Sequence, residues 1–176
     1  EWQTVVRSTL RGSLRTVGRR CFESSLEHEW HTARGDSEIV AEPWTAEGGR
    51  TLRYKTDPGI LGALIVDVVE RQQLHALADG AWVVTSSTSF EGMPMSHCLT
   101  VHTRYSLRPS PATTSAPTVA VTASVSAELA EGVPWMLRRL LERKVVGDGG
   151  AALQDWGRRM LAADPTEEQA AAEAEA

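Results

Sequence analysis

Apolar and polar positions alternate with a period of two through the middle of this chain, and with helical spacing near both ends. Residues 4–10 (Thr4, Val5, Val6, Arg7, Ser8, Thr9, Leu10) alternate weakly and predict a short strand. From Ser13 the apolar Leu14, Val17, Cys21 and Phe22 recur at spacings of three, four and one. That is one face of a short helix, with Ser13 as its N-cap. Glu38, Ile39, Val40 and Ala41 begin the next strand, which ends at Pro43-Trp44. Glu47-Gly48-Gly49 predicts a hairpin turn, because glycine supplies the positive φ of a tight connection. Further strands are predicted over residues 51–56, 65–75, 81–90 and 99–107, the middle pair joined by the turn Ala78-Asp79-Gly80. A Pro- and Ser-rich stretch, residues 108–117, reads as a loop, and the β-branched run 118–126 as a strand.

Pro134 stands in the first turn of a closing helix, where its missing N–H costs nothing. Leu137, Leu140, Leu141 and Val145 mark one face, and Arg138, Arg139, Glu142 and Arg143 the other. Gly147-Asp148-Gly149-Gly150 predicts a break or kink, after which Leu153, Trp156, Met160 and Leu161 resume helical spacing before Pro165. The order is therefore strand, helix, about six strands, long helix. Composition alone supports an α+β class. A strongly bent antiparallel sheet with the final helix across its mouth lets both elements bury one face.

Such a hollow is a natural apolar pocket. One strand carries Val84, Ser86 and Thr88 on one face, placing hydroxyls where a packed core prefers Leu or Ile. Another carries Val119, Val121, Ala123 and Val125, similarly short in reach. Two readings stand: the hydroxyls line a cavity, or they face water while the valines fill a dry core.

The totals describe an ordinary folded chain of 176 residues, 41% hydrophobic and 23% charged. The net charge of −5 is concentrated at the end. Asp164, Glu167, Glu168, Glu173 and Glu175 lie in residues 164–176, which hold no Lys or Arg, so the 18 acids before them balance the 18 bases. A neutral body argues against nucleic acid as a partner. The expected division is one domain over 1–163 and an acidic Ala/Glu-rich tail or linker over 164–176. No apolar run approaches the roughly 18 residues of a membrane span, and no signal peptide opens the chain. The start at Glu1, without Met, reads as a piece of a longer protein. Cys21 and Cys98 lie outside any metal-ligand spacing, so a reduced, cytosolic protein is expected, with one disulfide as the alternative.

Catalytic signatures are set aside on spacing. His28-Glu29-Trp30-His31 puts its second His one residue too early for a zinc-protease motif. His97 and His102, five apart in an expected strand, face opposite sides. No G-x-S-x-G elbow occurs, and the 147–150 glycines lack the Lys-Ser/Thr of a phosphate loop. Arg34-Gly35-Asp36 reads as a turn. The chain is expected to be no enzyme and to need no metal or cofactor.

The order of these segments, with Trp44 before the hairpin, Glu91-Gly92-Met93-Pro94 as a knuckle, Arg104-Tyr105 in the following strand and Pro134-Trp135 at the helix head, resembles the VASt domain family. These are the StAR-related lipid-transfer modules of the Aster and Lam type sterol transporters. The resemblance implies the START-like helix-grip fold: six to seven curved strands, a long C-terminal helix over the cavity and a short N-terminal helix. It implies a cavity lined by Leu64, Val68, Val84, Ser86, Thr88, Leu99, Val101, Thr103, Val121, Ala123, Leu137, Leu140 and Leu141. Ser86, Thr88 and Thr103 are its candidate polar contacts. Pro58, Gly59, Ile60, Leu61 and Gly62 match the family's gating loop, which touches the membrane; a plain connection tucked into the core is the other reading.

Trp44 and Trp135 match family tryptophans and read as anchors, and Trp82 as core or cavity rim. Pro94 is followed by Met95-Ser96-His97-Cys98, without the family's aromatic contacts. The implied partner is a sterol or other lipid, with transient contact to a membrane and its anionic lipids. A monomeric domain acting at the cytoplasmic face, at contacts of endoplasmic reticulum and plasma membrane, is the implied setting. A helix-grip domain with a filled core, serving protein interaction or regulation, is the alternative.

Overall fold

A computed structural model describes residues 1–23, 25–57, 65–92, 96–110 and 117–165. Seven antiparallel strands form one curved sheet: β1 (Gln3–Arg11), β2 (Ser37–Ala41), β3 (Gly49–Thr56), β4 (Val66–Ala76), β5 (Trp82–Glu91), β6 (Leu99–Pro109) and β7 (Thr118–Leu129). Their order is β1-β7-β6-β5-β4-β3-β2, so the first two strands of the chain end up at opposite edges. Two helices, α1 (Leu14–Phe22) and α2 (Ser25–Ala33), make the crossing between those edges. The long α3 (Trp135–Ala162) lies against β1 and β7. This meets the α+β, helix-grip expectation.

The alternation in the sequence determines which side chains face the hollow. On β4 the even positions Val66, Val68, Glu70 and Gln72 are buried, and on β5 Val84, Ser86 and Thr88. On β7 Val119, Val121, Ala123 and Val125 are buried. Two apolar clusters result. One gathers Phe22, Tyr105, Val121, Leu153 and Trp156 beneath α1, α2 and the second half of α3. The other gathers Leu52, Tyr54, Val68, Leu99, Leu141 and Val145 beneath its first half.

Ser13 caps α1, its hydroxyl accepting from the Thr16 N–H at 3.2 Å. The helix α2 was not foreseen, because its buried face offers only Trp30 and His31 within a polar sequence. It ends at Arg34-Gly35-Asp36, where Gly35 takes φ +87° and delivers the buried Asp36 carboxylate to His31 Nδ1 at 2.7 Å. The second histidine of the His28–His31 stretch is therefore a satisfied core residue. His97 lies in a short 3-10 turn ahead of β6, so the reading of His97 and His102 on one strand is corrected.

The break expected at residues 147–150 does not occur: α3 runs unbroken for 28 residues, ~42 Å. Three of its glycines serve close approach. A Cβ on Gly149 would sit 3.1 Å from Val125 Cγ2, on Gly150 3.3 Å from Val5 Cγ1, and on Gly157 3.0 Å from Val6 Cγ1. The register of β1 on β7 shifts between Thr4 and Val6, a bulge that lets consecutive valines both meet the helix. Each such valine, once buried, contributes roughly 1.5–3 kcal/mol. At the far end Asp164 accepts from the Arg11 N–H and from Arg20 Nη1, both at 2.9 Å, which ties the helix exit to β1 and α1.

Candidate functional site

Between the two apolar clusters lies a cavity of about 210 Å³. Val145, Gly149 and Leu153 of α3 roof it, and Trp30 of α2 with Arg34 of the following turn closes one side. Its floor is the sheet: Tyr54 of β3, Glu70 of β4, Thr88 and Phe90 of β5, and Val101, Thr103 and Tyr105 of β6. Gly149 at the roof brings α3 close to the sheet, while short Thr88 and Thr103 on the floor leave the space open.

Polar groups of the floor bond one another, while an unmatched donor stands at the side wall. Ser86 and Thr103 bond each other through their hydroxyls. Glu70 is 8% exposed, and its Oε1 accepts from Gln72 Nε2 at 2.8 Å. Burial, and then the nearby Glu70 carboxyl, raise the hydroxyl pKa of both Tyr54 and Tyr105, so these stay neutral donors. Trp30 is 7% exposed, yet its indole N–H has no acceptor.

Beside the cavity a buried ionic cluster holds α2 to the sheet. Arg50 of β3 donates from Nε to Gln72 (2.8 Å), from Nη1 to the Phe22 carbonyl (2.6 Å) and from Nη2 to Glu27 of α2. Its guanidinium also lies 4.5 Å from the Trp44 ring centroid, so Trp44 packs as an anchor. Burial pushes the Glu27 carboxyl up to about 7, against the pull of Arg50. Asp36 shifts the other way: burial raises it, but the bond to His31 and the charge of Arg34 outweigh that and leave it below its ordinary value.

A larger concavity, about 450 Å³, opens outside this cluster among Phe22, Glu27, His28, Trp44 and Leu52. It is a surface cleft whose innermost polar groups already satisfy one another. The smaller cavity is the better candidate site, because it sits in the hollow of the sheet and keeps the Trp30 indole N–H unmatched. Among the described residues no group of His, Cys, Asp or Glu is arranged to hold a metal ion.

Of the residues expected at the site, Thr88, Val101 and Thr103 line this cavity. Val84, Val121 and Ala123 pack in the first cluster, with Ser86 buried beside Thr103. Val68, Leu99 and Leu141 pack in the second, with Leu137 partly buried against it. Leu140 is corrected: it is 61% exposed, on the outer face of α3. Trp135 is corrected likewise, since an anchor is buried and Trp135 is 69% exposed. Leu64 and the expected gate, Pro58 to Gly62, lie outside the described residues.

Sequence reasoning missed Trp30, Arg50, Glu70 and Gln72. The signal for two of them was present: Glu70 and Gln72 share the parity of Val66, Val68 and Leu74, hence the same face of β4.

Residues 4–146 match the family described as VAD1 Analog of StAR-related lipid transfer domain, VASt. The chain belongs to the VASt family. No curated protein matches it in sequence. Solved structures share the fold at low identity. A hypothetical protein from Helicobacter pylori has TM-score 0.62 at 11% identity, covering 94% of this chain and 88% of that one. The human StarD13 lipid transfer and protein localization domain has TM-score 0.57 at 12%, covering 91% and 75%. A STAR-related lipid transfer protein from Xanthomonas axonopodis has TM-score 0.56 at 14%, covering 88% and 83%. The fold of this VASt domain is thus that of START-like lipid-transfer domains. No helix among its described residues is long and apolar enough to cross a membrane.

Proposed function

We propose that this VASt domain takes one sterol-like lipid into the hollow beneath α3 and exchanges it at membrane surfaces without covalent chemistry. The observation that carries the reading is the cavity itself, an apolar roof over a floor that carries a few polar groups, with the Trp30 indole N–H unmatched at its side. Burying some 400 Å² of apolar ligand is worth roughly 10 kcal/mol relative to water. A bilayer offers a similar gain, so cavity and membrane nearly balance and net movement follows the lipid gradient. At about 210 Å³ the partly open cavity falls below the ~300–1,000 Å³ typical of ligand sites, so entry of a whole sterol requires its walls to part.

The outer face of α3 supports membrane contact. Trp135, Met136 and Leu140 are exposed there at 69%, 68% and 61%, beside the exposed Arg139 and Arg143. Apolar side chains with flanking arginines suit the boundary of an anionic bilayer, each charge adding ~1 kcal/mol near the surface. The reading retains Pro58 to Gly62 as the gate. By family likeness it sets the domain at the cytoplasmic face, where endoplasmic reticulum meets plasma membrane. The modest cavity volume favours the second reading, a filled-core interaction module.

Mass spectrometry of organic extracts from the purified domain, followed by titration with the fluorescent sterol dehydroergosterol, separates the two. Saturable one-to-one quenching of the tryptophan emission, reversed by unlabelled sterol, supports the carrier. No copurified lipid and no competition by sterol or phospholipid would reject it in favour of the interaction module.

A further inference from the structure

The cleft outside the ionic cluster is larger than the cavity, about 450 Å³ against about 210 Å³, and its volume suits a bound side chain or small ligand. Phe22, Ile39, Trp44 and Leu52 give it apolar walls. Its charge is one-sided. Glu23 follows α1, Glu27 lies on α2 and Glu42 follows β2, so carboxyl groups from three parts of the chain converge on it. Arg50 is the only Lys or Arg of the lining, and each of its guanidinium nitrogens already donates within the protein. Glu23 has only the exposed Arg19, 3.9 Å away, and Glu42 pairs with no cation among the described residues. Charges of one sign between low-dielectric walls focus the field and gather ions of the other sign.

The rim of the cleft is a sheet edge. β2 ends the strand order and has β3 as its sole neighbour. The first half of this edge is blunted, because Glu38 takes φ +53° and the register shifts between Ser37 and Val40. The second half is regular: Val40 and Ala41 pair with Arg53 and Leu52, and the Glu42 N–H donates to the Thr51 carbonyl at 2.9 Å. An antiparallel ladder alternates, so the N–H and C=O of Ala41, between Val40 and Glu42, point to the open edge. Ile39 and Ala41 face the cleft, while Val40 turns to the other face of the sheet, 58% exposed. A strand added beside Ala41 therefore sets every second side chain over the cleft.

We propose that the cleft and the β2 edge together bind an extended basic segment of a partner polypeptide. Its backbone pairs with Ala41. An arginine or lysine of the segment lays its stem along Ile39 and Trp44 and brings its charge among Glu23, Glu27 and Glu42. Charge complementarity selects the side chain, and the ladder selects a polypeptide over a free organic cation. The site is separate from the cavity and stands whether or not the cavity carries lipid.

The test is fluorescence anisotropy of a labelled hexapeptide of alternating Val and Arg, at pH 8, above the Glu27 value of about 7. It should bind about tenfold tighter than the same peptide with Gln for Arg, and the version with Glu should not bind. Glu23→Gln and Glu42→Gln, both at exposed rim positions, should each weaken the basic peptide about threefold and leave the Gln peptide unchanged. Ala41→Pro, which deletes the outward N–H and takes no bond from β3, should weaken both peptides about fivefold. A basic peptide that binds no tighter than its Gln version would overturn the proposal. So would binding that both glutamate variants leave unchanged, which would put the peptide on the acidic residues 164–176 instead. Displacement by free arginine amide at the same concentration as by unlabelled peptide would assign the cleft to a small cation and reject the polypeptide. Should Ala41→Pro not fold, methylation of the peptide's backbone amides decides: it should abolish binding, and undiminished binding would overturn the ladder.

Discussion

Replacing one glycine of α3 by alanine should stabilise the protein at one position and destabilise it at another, nearly three turns away. Gly147 is exposed, and a Cβ there meets nothing within 4 Å. Gly147→Ala therefore gains only the helix propensity, about 1 kcal/mol. Gly157→Ala gains the same, but its Cβ lands 3.0 Å from Val6 Cγ1 and 3.2 Å from Cγ2, where carbons prefer ~3.5–4.0 Å. Val6 cannot turn away, being β-branched, 7% exposed and held in a strand paired with β7. The helix must back off by about half an ångström, and overpacking of this kind costs roughly 1–3 kcal/mol. The net loss is about 1 kcal/mol, and the two alanines differ by about 2 kcal/mol. Thermal unfolding should show Tm higher by about 2–4 °C for Gly147→Ala and lower by a similar amount for Gly157→Ala. If Gly157→Ala raises Tm as much as Gly147→Ala, the helix does not seat on β1 through that glycine and the account of the stripe is wrong.

Three further expectations concern the pH response, the thiols and the outer face of α3. The Glu27 carboxyl is raised from about 4.5 to about 7, chiefly by burial, so its contribution is complete below pH 4.5 and lost as pH rises through 7. That amounts to at most roughly 3 kcal/mol, so Tm should fall between pH 5 and 8, and Glu27→Gln should flatten the fall. Asp36 is depressed, so its contribution is present above its ordinary 3.8 and lost as pH falls through its lower folded value; stability should drop again under strong acid. Cys21 is buried with its thiol pushed up to about 12, and both cysteines are free. A thiol reagent should titrate Cys98 alone in the native domain and both in denaturant; fast labelling of Cys21 would contradict its burial. Leu140→Asp should leave unfolding within about 0.5 kcal/mol of wild type, while reducing sedimentation with phosphatidylserine vesicles several-fold. A large loss of stability would return Leu140 to the core.

Local pattern alone determines much of this protein. Alternation on residues 84–88 and 119–125 names the inward faces, because strand geometry sends every second side chain to one side whatever the partner. Ser13, Gly48 and Gly80 mark a cap and two turns, since those backbone conformations depend on the residue in place. Tertiary structure decided what depends on a neighbour. The glycines of 147–150 read as a break because glycine is a poor helix former, yet Gly149 and Gly150 are the surface on which α3 meets Val125 and Val5. Leu140 and Leu141 are the same residue type at adjacent positions, and only the seat of α3 on the sheet sends one outward and the other inward. The polar cluster joins Glu27 of α2 to Arg50 and Gln72, which face each other across the paired strands β3 and β4. No spacing rule relates Glu27 to that pair, and only the seat of α2 on the sheet brings them together.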